Sequence, residues 1–253
     1  PVRRSGLQRE LKMNTYLEQP KRGGGNEASL DGGSTWRKLL PILFTSESAQ
    51  KCFDGTKTQT RRIISSQPSL EFTPKVGFYH RTLVNRNGEQ YPSERKYFGV
   101  SDLNEDYPSH YQVGDILWCR ENWRTYQTLD YVKPRDIAAG AVVQYQSGGL
   151  NVLGHATLSG MGKLRPNLLL PLHLARPARY EVVAVRCERV NEISESDAKA
   201  EGCDGEFVPG TLHDPKYSTV LRFEKLWNSI YTEPGTRFED GPWVFAFTLQ
   251  RIK

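Results

Sequence analysis

Four cysteines are all that the 253 residues carry, and Cys52, Cys119, Cys187 and Cys203 lie far apart. Without CxxC spacing there is no zinc-knuckle or redox motif, and no dense disulfide framework; reduced thiols of a cytoplasmic protein are the simplest reading. His155, His173 and His213 are isolated, without metal-ligand spacing, and read as structural or solvent-facing. No metal and no cofactor are therefore expected. There is no run of eighteen apolar residues, and mean hydropathy is -0.60, which argues against a helical membrane span. No apolar signal-peptide core stands at the N-terminus. Charge of neither sign dominates: 34 Lys and Arg against 29 Asp and Glu leave +5. That balance admits an anionic partner such as RNA without requiring one.

The sequence does carry a division in composition. Residues 1–38 hold scattered cations, two glycine clusters and few apolar residues, and read as a flexible basic and Gly-rich arm. The folded part is expected over 39–253, opening with the apolar strand Leu39–Phe44. Two stretches broken by Pro and Gly, at about 65–112 and 125–175, read as insertions. Asn87-Gly88 inside the first marks a hairpin whose Tyr, Phe and Arg side chains suit either packing or base stacking.

The densest chemistry lies in Gly55-Thr56-Lys57-Thr58-Gln59-Thr60-Arg61-Arg62. It follows a short helix with Ser46 as expected N-cap, Ala49 and Phe53 on one face, and Gly55 as C-terminal stop. Beyond Gly55 the alternation is that of a strand, so Lys57 and Thr60 can meet only if Lys57 belongs to the turn. The run reads two ways: a basic turn leading into a half-exposed strand, or a lysine that activates the Thr60 hydroxyl while an arginine holds an anion or base edge.

Later elements add candidates. Ile116–Cys119 reads as a core strand, and Glu121 beyond its end, beside Trp123, suits a hydrogen bond to a base or the orientation of Lys57, and equally a surface pair with Arg120 or Arg124. Lys163 and Arg165 lie in a Gly- and Pro-rich loop open to an anion, although no Walker pattern accompanies them. Tyr180–Val190 is a strand. Ser194 and Asp197 open a helix that Gly202 closes. Glu201 then falls in the last turn, where the helix dipole disfavours a carboxylate. Val220, Phe223, Leu226, Trp227 and Ile230 form the apolar face of a further helix, and Trp243–Leu249 a closing strand.

The order of these elements, with Gly55-x-Lys57-x-x-Thr60-x-Arg62 and the later Glu195-x-x-Ala198-x-x-Glu201-Gly202 helix, resembles an ASCH domain of the PUA-like superfamily. The long phage and prophage ASCH proteins are the most similar in plan. The resemblance implies an α+β fold: a small PUA-like β-barrel with flanking helices, here carrying insertions. It also implies a partner, RNA or a modified nucleoside, met in the cytoplasm of a bacterial or phage-infected cell. One branch of the family hydrolyses the amide of N4-acetylcytidine without a metal, using a Lys, a Thr and a Glu; these match Lys57, Thr60 and Glu201. Another branch cleaves single-stranded RNA. Arg61, Arg62, Glu121, Trp123, Lys163 and Arg165 complete the set as expected substrate contacts. A non-catalytic RNA-binding module and a phage protein-contact module stand as alternatives.

Overall fold

The computed structural model describes residues 27–29, 36–65, 67–68, 75–101, 106–148, 159–204 and 218–252. Most of the expected arm, together with His155 and His213, lies outside the described residues. The chain is a mixed α+β protein, mostly strands in several sheets with a few helices. None of the helices among the described residues is long and apolar enough to cross a membrane. Contacts divide it into two compact units through which the chain passes alternately: residues 1–55, 114–181 and 251–253, and residues 56–113 and 182–250.

In the first unit, strand β1 (Glu27–Ser29) pairs antiparallel with β2 (Trp36–Leu43). Both begin within the stretch read as an arm, so that boundary shifts: backbone pairing there needs no apolar pattern. Parallel to β2 runs β7 (Ile116–Arg120), a buried Ile-Leu-Trp-Cys run of the kind that a strand covered on both faces requires. Helix α1 (Ser46–Asp54) is capped by Thr45, not Ser46; the Thr45 hydroxyl accepts from Ser48 N at 3.2 Å. Gly55 ends it at φ 81°, a left-handed conformation that a side chain would strain. The short pair β8 (Trp123–Arg124) and β9 (Gln144–Tyr145) completes the unit. Its core gathers Leu39, Ile116, Trp118, Trp123, Leu170 and Leu174.

In the second unit, strand β3 (Gln59–Ile63) pairs antiparallel with β11 (Trp243–Ile252, the last two residues of which belong to the first unit), and β11 neighbours β10 (Arg179–Arg189, which enters the second unit at Val182). A separate three-stranded sheet joins β4 (Lys75–Val84), β5 (Gln90–Ser101) and β6 (Asp106–Pro108). The hairpin read from Asn87-Gly88 is its β4–β5 turn: Gly88 takes φ 83°, and the Asn85 side chain accepts from Asn87 N and Glu89 N. Helix α2 (Glu195–Ala198), capped by Ser194, widens into a π turn over Lys199–Cys203. Helix α3 (Thr219–Ile230) buries Phe223 and Trp227, but Ile230, expected on the same apolar face, is exposed at its end.

Candidate functional site

Lys57 precedes β3 and belongs to the turn. Two backbone bonds fix that turn: Thr58 N donates to Ala200 O at 2.8 Å, and Thr58 O accepts from Leu249 N at 2.8 Å. The Lys57 ammonium is thereby delivered to the end of the π turn, where it donates to the Glu201 carbonyl at 2.9 Å and to the Glu201 carboxylate. A cation at the C-terminal carbonyls of a helix is favoured by the same dipole that disfavours the glutamate. Gly202, at φ 82°, lets the chain turn away immediately afterwards.

The other Glu201 oxygen belongs to Arg61, whose Nη1 stands 3.0 Å away. Arg61 side-chain exposure is 0%, and its guanidinium also meets Glu188 at 2.6 Å and Asp197 at 3.2 Å. Arg186 pairs with the same two carboxylates, and the Arg61 guanidinium lies 5.7 Å from the Phe223 ring. Three cations therefore face three carboxylates, so charge balances locally. Burial would raise the Asp197 carboxyl, but the Gln59 hydrogen bond and the Arg186 and Arg61 guanidiniums outweigh it and hold the group below its usual range.

Side chains alternate along β3, so Thr60 and Arg62 take the face opposite to Gln59 and Arg61. Thr60 is buried, and its hydroxyl oxygen accepts from Arg62 Nη1 at 2.8 Å. In register, Thr60 lies opposite Phe247 and Arg62 opposite Phe245. That face opens on a cleft of about 490 Å³, lined by Arg62–Ser65, Asp106–Pro108, His110, Tyr111, Phe245 and Phe247. The structure thus joins Lys57 to Glu201 on the Arg61 side of the strand, and Thr60 to Arg62 on the cleft side.

A buried glutamine builds the cleft's far wall. Gln112 Oε1 accepts from Phe98 N at 2.7 Å, while its Nε2 donates to Phe98 O and Ser109 O. With its amide satisfied at both ends, Gln112 pins the loop that carries His110 and Tyr111. Tyr111 meets Phe247 edge to face at 5.3 Å. These wall residues were not singled out in the sequence, where 65–112 reads as an insertion; the signal present was the Tyr107-Pro108 and His110-Tyr111 clustering.

The remaining expected contacts lie in the first unit. Glu121 is buried; its carboxylate accepts from Arg176 Nε at 2.7 Å and from the Ser147 hydroxyl. Arg176 is itself held between the Phe53 and Tyr145 rings, at 4.8 and 4.5 Å. Trp123 is 0% exposed and part of the core, so no base can stack on it in this fold. Arg165 covers the Trp123 ring at 5.2 Å and donates to Val132 O and Leu129 O, which makes it a brace for the loop between them. Lys163 N donates to the Asp130 carboxylate, and its ammonium lies 6.0 Å from the ring of Tyr131, a residue that is 96% exposed. His173 contacts Ile137 O at 2.8 Å, a structural role.

Compared with family models, curated proteins and solved structures, the chain matches none of them.

Proposed function

We propose that this is an ASCH-type protein with a PUA-like barrel at its centre, and that it binds a base of RNA or a modified nucleoside in the cleft beside Arg62. One observation carries the reading: a guanidinium, an imidazole and a carboxylate (Arg62, His110 and Asp106) converge on a cleft walled by aromatic rings. Such a mixture suits a flat heterocycle that carries both donors and acceptors on its edge. Arg62 would donate to ring carbonyl or phosphate oxygens, and Asp106 would accept from an exocyclic amine.

The buried Lys57–Glu201 pair favours a second reading, hydrolysis of an N4-acylated cytidine. A water beside Thr60 would attack the amide carbonyl and its proton would pass to the departing cytidine amine, while Lys57 and Glu201, on the other side of β3, would brace the strand end that carries Thr60. The products would be the free acid and cytidine.

Chromatography after incubation with N4-acetylcytidine, and in parallel with a labelled single-stranded RNA, separates the readings. Deacetylation lost in Lys57→Ala, Thr60→Ala and Glu201→Ala supports hydrolysis, and RNA cleavage lost in the same variants supports a ribonuclease. Binding that survives Thr60→Ala but not Arg62→Ala, with no turnover, supports a reader. Absence of binding to either at moderate salt overturns both and favours a protein-contact role.

A further inference from the structure

Strand β4 is the edge of its sheet. One side of it pairs with β5, and among the described residues no strand pairs with the other. Proteins shield such edges with short strands, prolines or bulges, because an open edge is a template for another strand. Here the edge strand runs for ten residues, Lys75–Val84, without a proline. One shift interrupts its register: His80 stands opposite Lys96, and Thr82 opposite Pro92. The extra residues of that irregularity sit on β5, so the outer edge of β4 stays regular.

Alternation along β4 puts Val76, Phe78, His80, Thr82 and Val84 on one face, and Lys75 and Arg81 on the other. All five of the first set are exposed, Phe78 at 62% and Val84 at 63%. A ladder without lysine, arginine or carboxylate, held in solvent beside an open edge, suits a protein strand and offers a polyanion nothing.

The ladder is also self-complementary. With a second β4 laid antiparallel about a two-fold axis at His80, Val76 faces Val84 of the second copy, and Val84 its Val76, as an isologous contact requires. Phe78 faces Thr82 of the second copy, an aromatic against a β-branched side chain, which is a favourable cross-strand pair. On the opposite face Lys75 falls opposite Asn85 and Arg81 opposite Tyr79, so neither cation meets another across the edge.

We propose that β4 pairs edge to edge with β4 of a second copy of this chain, antiparallel about His80, and so joins two three-stranded sheets into one. The dimer does not depend on what the cleft binds. A single strand pair is a small contact beside the roughly 1,200–2,000 Å² of a stable interface, so a weak dimer is expected, with a dissociation constant of roughly 100 µM.

Sedimentation velocity of the full chain between about 10 and about 500 µM tests this. The wild type is expected to pass from monomer to dimer over that range. Val76→Lys/Val84→Lys sets lysine against lysine at both ends of the ladder and is expected to weaken the dimer by roughly tenfold or more. Val76→Lys/Val84→Glu sets lysine against glutamate at the same two places and is expected to restore it. Both positions are exposed in the single chain, so the hairpin is expected to tolerate either pair of substitutions. Amide exchange needs no variant: alternate β4 amides are expected to gain protection as concentration rises. A wild type that stays monomeric overturns the proposal and leaves the edge to a different protein strand. A dimer that the two-lysine variant keeps overturns it by assigning association to another surface. A dimer lost in both variants, or formed without new protection on β4, overturns the antiparallel pairing about His80.

Discussion

Arg61 Nη1 lies 3.0 Å from Glu201 Oε1, at a late-helix position where a glutamate by itself runs against the helix dipole. The second Glu201 oxygen is taken by Lys57. The two cations come from either end of one short stretch, a turn residue and a strand residue, and that is why the carboxylate can be buried there. The same arginine spans Glu188 on β10 and Asp197 on α2, so one guanidinium ties β3 to two other elements.

Removing that guanidinium leaves three carboxylates short of a partner. Arg61→Ala is expected to destabilise the fold by about 3–5 kcal/mol, the range for breaking a buried ion pair from one side. Arg62→Ala, on the half-exposed cleft face, is expected to cost much less. Denaturant unfolding of the two variants side by side measures the difference.

Gly202→Ala forces a side chain into a φ of 82°. The expected cost is about 1–2 kcal/mol from left-handed backbone strain. The variant is also expected to displace Glu201 from Lys57. Thermal melts of Gly202→Ala and of a Gly202→Ala/Glu201→Gln pair separate the backbone term from loss of the contact.

Acid stability carries a signature of the same network. The Asp197 carboxyl is held below its usual range in the folded state. Its contribution is therefore present above the unfolded value of about 3.9 and is lost as pH falls through the lower folded value. Stability is expected to drop below about pH 4, and Asp197→Asn is expected to flatten that limb. Unfolding curves recorded from neutral pH downwards check it.

The expected elements followed from period and punctuation: Gly55 and Gly202 stop helices, and Asn87-Gly88 turns a hairpin, because left-handed backbone at those points favours glycine. Neighbouring signals misled by one residue, as where Thr45 caps in place of Ser46. Choosing which of the adjacent arginines turns inward was beyond local pattern. Alternation sends Arg61 and Arg62 to opposite faces, but only the fold decides which face meets the carboxylates of β10 and α2 and which, shared with the cross-strand neighbours Phe245 and Phe247, opens on the cleft. Glu121 and Trp123 read as accessible because they end a strand; Arg176, 55 residues further on, and the core around Trp123 enclose them. The cleft wall depends on a Gln112 clamp whose partners only the folded chain reveals.

Thiol chemistry offers a further check. None of the four cysteines is in a disulfide, and Cys52, Cys119 and Cys203 are buried. Burial, with Glu188 adding to it, pushes the Cys187 thiol up to about 12 against an opposing pull from Arg189. The Cys119 thiol is raised by its hydrogen bond with Cys52 and by burial. Little thiolate is present at neutral pH, so native protein is expected to resist alkylation, with all four thiols reacting once denatured. Mass spectrometry of the alkylated protein counts them.

The most direct test of the base-binding cleft is a nuclear magnetic resonance titration of isotope-labelled protein with cytidine and with N4-acetylcytidine. The account predicts shifts concentrated at Arg62–Ser65, Asp106–Tyr111 and the facing Phe245 and Phe247, and their loss in Arg62→Ala. Shifts confined to other surfaces, or none with either nucleoside, would contradict it.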